Sequence, residues 1–104
     1  MKPIMNNTKW EELRRSMLEL GQSPQWRTKI IDSGYICPWD GEWFYHFKDG
    51  GYQDIEWVEI RITSSEQDAV VLEALKSIHV PGHRVEQGFR IYGYAKDGEF
   101  IDYI

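Results

Sequence analysis

Three histidines, His46, His79 and His83, and a single cysteine, Cys37, have the widest chemical range of the side chains in this sequence. His79 and His83 stand four residues apart, the spacing at which two imidazoles on one helical face bind zinc. Pro81 and Gly82 fall between them and oppose a helix there, so both are read as loop histidines and no metal site is assigned. His46 lies between Tyr45 and Phe47, a short way after Asp40 and Glu42. General-base chemistry would also need a nucleophile, an orienting partner and a pocket, and the spacing supplies none of these. Cys37 precedes Pro38, has no basic neighbour in sequence to lower its thiol pKa, and has no second thiol for a disulfide or a CxxC site. Gly50-Gly51 and Gly82 read as turn glycines, because no glycine-rich loop follows a strand and opens a helix to cradle a phosphate. No catalytic residue and no cofactor is assigned.

Charge and aromatic content are more informative. Seventeen acids oppose twelve Lys and Arg, giving a net charge of −5, which repels a phosphate backbone and disfavours nucleic acid as a partner. Residues 40–59 hold Asp40, Glu42, Asp49, Asp54, Glu56 and Glu59 against Lys48 alone, so the whole net charge falls in that segment. The same stretch carries Trp43, Phe44, Tyr45, Phe47, Tyr52 and Trp57. On alternating strands such a mixture can be ordinary, with rings inward and carboxylates in water. The functional alternative places Trp39, Trp43 and Trp57 in solvent beside Asp40, Glu42, Asp54 and Glu56. There the indoles would supply contact area and the acids would steer a basic protein.

The elements that must position these residues are read from spacing. Thr8 to Glu11 matches a capping box, and Trp10, Leu13, Met17 and Leu20 follow on one helical stripe that Gly21 ends. Residues 1–7 are expected to be a flexible tail and 8–104 a single domain. Residues 27–32 read as a short edge strand. Asp40-Gly41 and Asp49-Gly50-Gly51 are expected to be hairpin turns, and Asp97-Gly98 a third, joining Phe89–Ala95 to Phe100–Ile104. Val58, Ile60 and Ile62 alternate with Trp57, Glu59 and Arg61. A second helix opens at Ser65, carries Val71, Leu72, Leu75 and Ile78, and stops before Pro81. The expected fold class is α+β: an antiparallel sheet of about five strands with two helices on one face, in the order α-β-β-β-α-β-β. Arg90, Tyr92 and Tyr94 would then share the open face with Trp57, Glu59 and Arg61, either as a partner surface or as half-solvated cross-strand pairs.

The run Gly34-Tyr35-Ile36 through Trp39-Asp40-Gly41-Glu42-Trp43-Phe44-Tyr45-His46-Phe47, then Gly51-Tyr52 and Ile55-Glu56-Trp57-Val58-Glu59-Ile60, resembles a family of small bacterial proteins that are domains of unknown function. Ile78-His79-Val80-Pro81-Gly82, Gly88-Phe89-Arg90-Ile91-Tyr92-Gly93-Tyr94 and the Asp102-Tyr103-Ile104 ending are similar to it too, so the resemblance covers nearly the whole chain after Thr8. It implies a bacterial, cytoplasmic single-domain protein and transfers no functional residues. No segment approaches the ~20 apolar residues of a membrane span, and the amino terminus has no secretory pattern, so a membrane partner is not expected. The leading expectation is a non-catalytic module of immunity or antitoxin type that binds a basic protein. A small-molecule site or minor enzyme around His46, lined by Tyr35, Tyr52 and Tyr92, is one alternative. A structural homodimer paired through an edge strand is another.

Overall fold

A computed structural model describes residues 1–104. The first helix, α1, spans Asn7–Leu18, and its cap is Asn6, whose Oδ1 accepts the Lys9 N–H at 2.8 Å, so the helix starts one residue before Thr8. Its Trp10, Leu13 and Met17 face the core as the stripe predicts. The second helix, α2, spans Ser65–Ile78 and is capped by Ser64. It ends on His79, which takes the left-handed conformation at φ 64° and donates its N–H to Leu75 just ahead of Pro81. Strands β2 (Trp26–Ile30), β3 (Ile55–Arg61), β4 (Gly82–Val85) and β5 (Gly88–Tyr92) form one antiparallel sheet in the order β2-β3-β5-β4. Two short strands, β1 (Lys2–Pro3) and β6 (Tyr94–Ala95), make a second antiparallel pair. The chain is therefore α+β, with Val58 and Ile60 of β3 facing Ile91 and Phe89 of β5 in a core that also takes Leu13, Met17, Val71 and Leu75.

Several expected features differ from the outcome. Residues 1–7, read as a tail, are tied down: Lys2 and Pro3 pair with Ala95 and Tyr94, Ile4 N–H donates to Gly93, and Met5 is buried. The Asp97-Gly98 turn forms, yet the chain after it does not return along β5; Asp102 and Ile104 bond instead to Gly82 and Val80 at the start of β4. The hairpin in this half of the chain is β4–β5, closed at Glu86-Gln87. Gly88 follows that turn at φ 156°, and a Cβ on it would collide with the Ile60 carbonyl oxygen, so the sheet closes there only around a glycine. Residues 36–40 run irregularly along the outer edge of β2, where Trp26 and Asp40 exchange two backbone bonds of 2.8 Å and Cys37 N–H donates to Thr28. The 41–54 stretch makes no hairpin strands; it is a loop containing one 3₁₀ turn at His46–Lys48.

That loop is locked to α1 by a charged network that runs from the buried Arg14 to the partly exposed Glu11. Arg14 is buried, binds Glu11 through Nε at 2.8 Å and Nη2 at 2.9 Å, and turns Nη1 onto the Phe44 carbonyl at 2.9 Å. Tyr52 O–H donates to the same Glu11 carboxylate at 2.8 Å, and its ring stacks on Trp10. Trp26, Trp43, Phe47 and Tyr52 then fill the space between loop and helix, with the Trp43 indole N–H donating to Pro24 at 2.7 Å. The hydrogen bond from Arg14 holds the Glu11 carboxyl down at about 2, against an ordinary 4.5. Burial, followed by the bond to Glu11, pushes Tyr52 from 10.0 up to about 12.

A depressed carboxyl pKa contributes stability above its unfolded value that disappears as pH falls through the folded one, and a raised phenol pKa contributes stability that disappears as pH rises. Urea midpoints of the wild type are therefore expected to drop between pH 4.5 and about 2, and again between pH 10.0 and about 12. Glu11→Gln flattens the first decline and Tyr52→Phe the second. Profiles parallel to the wild type in both variants would show that the network does not stabilise the fold.

Candidate functional site

Side-chain acids shape the 40–54 loop. Asp40 Oδ1 accepts the Glu42 N–H at 2.8 Å, and the Glu42 carboxylate accepts three successive backbone N–H groups, those of Phe44, Tyr45 and His46, at 2.9, 2.8 and 2.7 Å. Those backbone donors, His46 foremost, hold the Glu42 pKa below the usual carboxylate value. Asp40 Oδ2 meets His46 Nδ1 at 2.9 Å, and this bond raises the imidazole pKa. With both ends of the turn fastened, Trp43 points inward at 1% exposure while Phe44 and Tyr45 point out at 61% and 60%. Two cations, Arg14 and Lys48, stand 5.8 and 5.7 Å from the Phe44 ring centre.

The sheet face away from the core is organised by a different acid. Glu59 on β3 has a side chain only 5% exposed, and its two oxygens are divided between Arg27 of β2, at 2.8 Å, and Arg90 of β5, at 2.6 and 2.9 Å. A carboxylate this far from water is tolerated because two guanidiniums neutralise it, each charge-assisted bond contributing roughly 1.5–3 kcal/mol. The guanidiniums in turn lie on indoles: Arg27 is 4.5 Å from the Trp39 ring and Arg90 is 4.3 Å from Trp57, with Arg61 on Trp39 at 5.5 Å. Beside them Lys29 pairs with Glu56 at 3.5 Å, and His83 Nε2 lies 3.1 Å from the Tyr92 hydroxyl.

The seven residues read from the sequence as one partner surface do not form one. Trp43 sits in the core and Trp57, 5% exposed, lies beneath Arg90, so neither indole is available as an anchor; each is buried because a polar group, the Pro24 carbonyl or the Arg90 guanidinium, is positioned to receive it. Trp39 is half-buried over two arginines. Asp40 and Glu42 are spent on the loop backbone, Glu56 is paired with Lys29, and Asp54 is exposed. The depression at His46 is about 110 Å³, and none of Tyr35, Tyr52 and Tyr92 lines it: Tyr35 is on the surface, Tyr52 in the core and Tyr92 on the open sheet face. What the sequence reading missed is the outward pair Phe44 and Tyr45, whose only local signal is an acid two to four residues before three backbone donors. It also missed Arg27 and Lys29, which alternate in β2 to the open face opposite Glu59 and Trp57.

The chain belongs to a family of unknown function (DUF6678), whose model matches residues 1–98. No curated protein and no solved structure matches it. No helix is long and apolar enough to cross a membrane.

The division between inward and outward rings has a direct thermodynamic readout. Trp43→Ala is expected to cost about 3–5 kcal/mol in urea unfolding, as for other buried large-to-small changes. Phe44→Ala and Tyr45→Ala should each stay within about 0.5 kcal/mol, as surface substitutions do. Equal losses at positions 43 and 44 would contradict the burial pattern.

Proposed function

We propose that the chain is a non-catalytic protein-binding module that docks a basic partner through the 40–54 loop, masking it in the manner of an immunity protein or antitoxin. One observation carries this reading: Phe44 and Tyr45, adjacent and mostly in solvent, sit on a backbone already fixed by Glu42, Asp40 and Arg14. A ring held out of the core by a prepaid hydrogen-bond network loses little freedom on docking, which is the condition under which an aromatic becomes a dominant contact. The anchors are thus Phe44 and Tyr45 in place of Trp43 and Trp57. Trp43 serves from below, as the wedge that sets the loop's height. Asp49 and Asp54 are exposed, and with the net charge of −5 they favour encounter with a positively charged surface.

The test is capture of partners from the lysate of the source cell by immobilised wild type, a Phe44→Ala/Tyr45→Ala variant and an Asp49→Lys/Asp54→Lys variant, each first shown to melt at the wild-type temperature. A basic protein recovered by the wild type is expected to be lost from the double alanine variant, with affinity falling about tenfold or more. Its association is expected to slow with added salt and with charge reversal. Undiminished recovery by both variants, or binding indifferent to salt, would overturn the reading.

A further inference from the structure

The open face of the sheet holds a cleft of about 270 Å³ that no residue of the loop lines. Trp57 lines it, Tyr92 stands directly across from Trp57 on β5, and Tyr94 follows two residues later at the start of β6. Three cationic side chains line it, Lys29, Arg90 and Lys96, and Met1, whose ammonium lies 3.8 Å from Asp97, lines it too. Two carboxylates line it as well, Glu56, which already neutralises Lys29, and Glu99, whose Oε1 accepts the Lys96 backbone N–H at 3.3 Å. The lining therefore has a cationic surplus, on a chain whose overall charge is −5.

The donors in this cleft are unequally committed. Arg90 uses Nε and Nη2 on Glu59, lies over the Trp57 ring at 4.3 Å and has the Tyr92 hydroxyl as a further hydrogen-bonding neighbour, whereas the Lys96 ammonium makes no ion pair. The rings are fixed in place by their hydroxyls: Tyr94 donates to the Gln53 carbonyl at 2.6 Å and Tyr92 meets His83. Fixed flat rings beside an uncommitted cationic donor are complementary to a molecule that combines a planar ring with an anion, since base-like rings stack on tyrosine and on guanidinium planes alike. The volume lies just under the usual range for small-ligand sites, roughly 300–1,000 Å³, which suits one such unit.

We propose that this cleft binds a small ligand of nucleotide type, its ring against Tyr92 and Tyr94 and its anionic group on Arg90 and Lys96. The probe is adenosine monophosphate, with adenosine and inorganic phosphate as half-ligands and a short single-stranded oligonucleotide as a polymeric competitor. Binding is followed by the NMR signals of the Trp57 indole and the β5 amides. Adenosine monophosphate is expected to shift these signals and to bind about tenfold or more tightly than either half-ligand. Lys96→Glu, whose side chain holds nothing in the fold, is expected to weaken it by about tenfold while leaving the remaining spectrum unchanged. Absence of shifts at millimolar adenosine monophosphate, equal affinity for phosphate alone, or full retention of affinity in Lys96→Glu would each overturn the proposal. Preference for the oligonucleotide would replace a single-ligand site with a polymer track and overturn it equally.

Discussion

An ion can leave water only where the protein supplies its counter-ion and its hydrogen bonds, and two buried ions in this molecule meet that condition in opposite directions. Arg14, inside the core, satisfies its guanidinium on Glu11 and on two loop carbonyls, so the 41–54 loop has to lie where those carbonyls are. Glu59, beneath the open face, satisfies its carboxylate on Arg27 and Arg90, so the two strands flanking β3 have to keep their register. Each ion thereby sets one surface of the protein, the loop in the first case and the basic sheet face in the second.

This arrangement changes the meaning of the charge concentrated in residues 40–59. As a count, the segment is uniformly acidic. In space it is divided by β3: Glu56 and Glu59 belong to the sheet and are neutralised there by cations from β2 and β5, while Asp40 and Glu42 are occupied with backbone N–H groups. The result is a molecule of two characters, with exposed aromatics and free acids at the loop and cations stacked on indoles across the sheet. Composition alone averages over that division.

How much of this is legible in the sequence depends on the range of the deciding interaction. Helix α2 could be read from Val71, Leu75 and Ile78 and its stop at Pro81, because caps and stripes are local. The alternation of Val58 and Ile60 with Trp57 and Glu59 likewise identified both faces of β3, and with Arg90 and Tyr92 it identified half of the open face. The 40–54 segment could not be read so, since its turn residues signal hairpins while the contacts that override them come from Arg14, thirty residues away from Phe44, and from Pro24, nineteen away from Trp43. Strand β1 is two residues long and pairs with Ala95 and Tyr94 across nearly the whole chain, so nothing near it announces a strand. The inward turn of Trp43 against the outward turn of Phe44 rests on the Glu42 carboxylate, and residue type alone does not choose between neighbouring rings.

The irregular run of residues 36–40 along β2 bears on how the protein behaves in crowded solution. A sheet rich in tryptophan and β-branched residues with a flat, unpaired margin is a template on which further chains can polymerise. Here that margin is occupied by the protein's own backbone, bridged at Trp26 and Lys29 and interrupted between by Pro38, so an incoming strand finds neither a continuous row of free amides nor a straight path. At the β2 margin, pairing by an incoming strand is thus opposed by the same stretch of chain that leads into the aromatic loop.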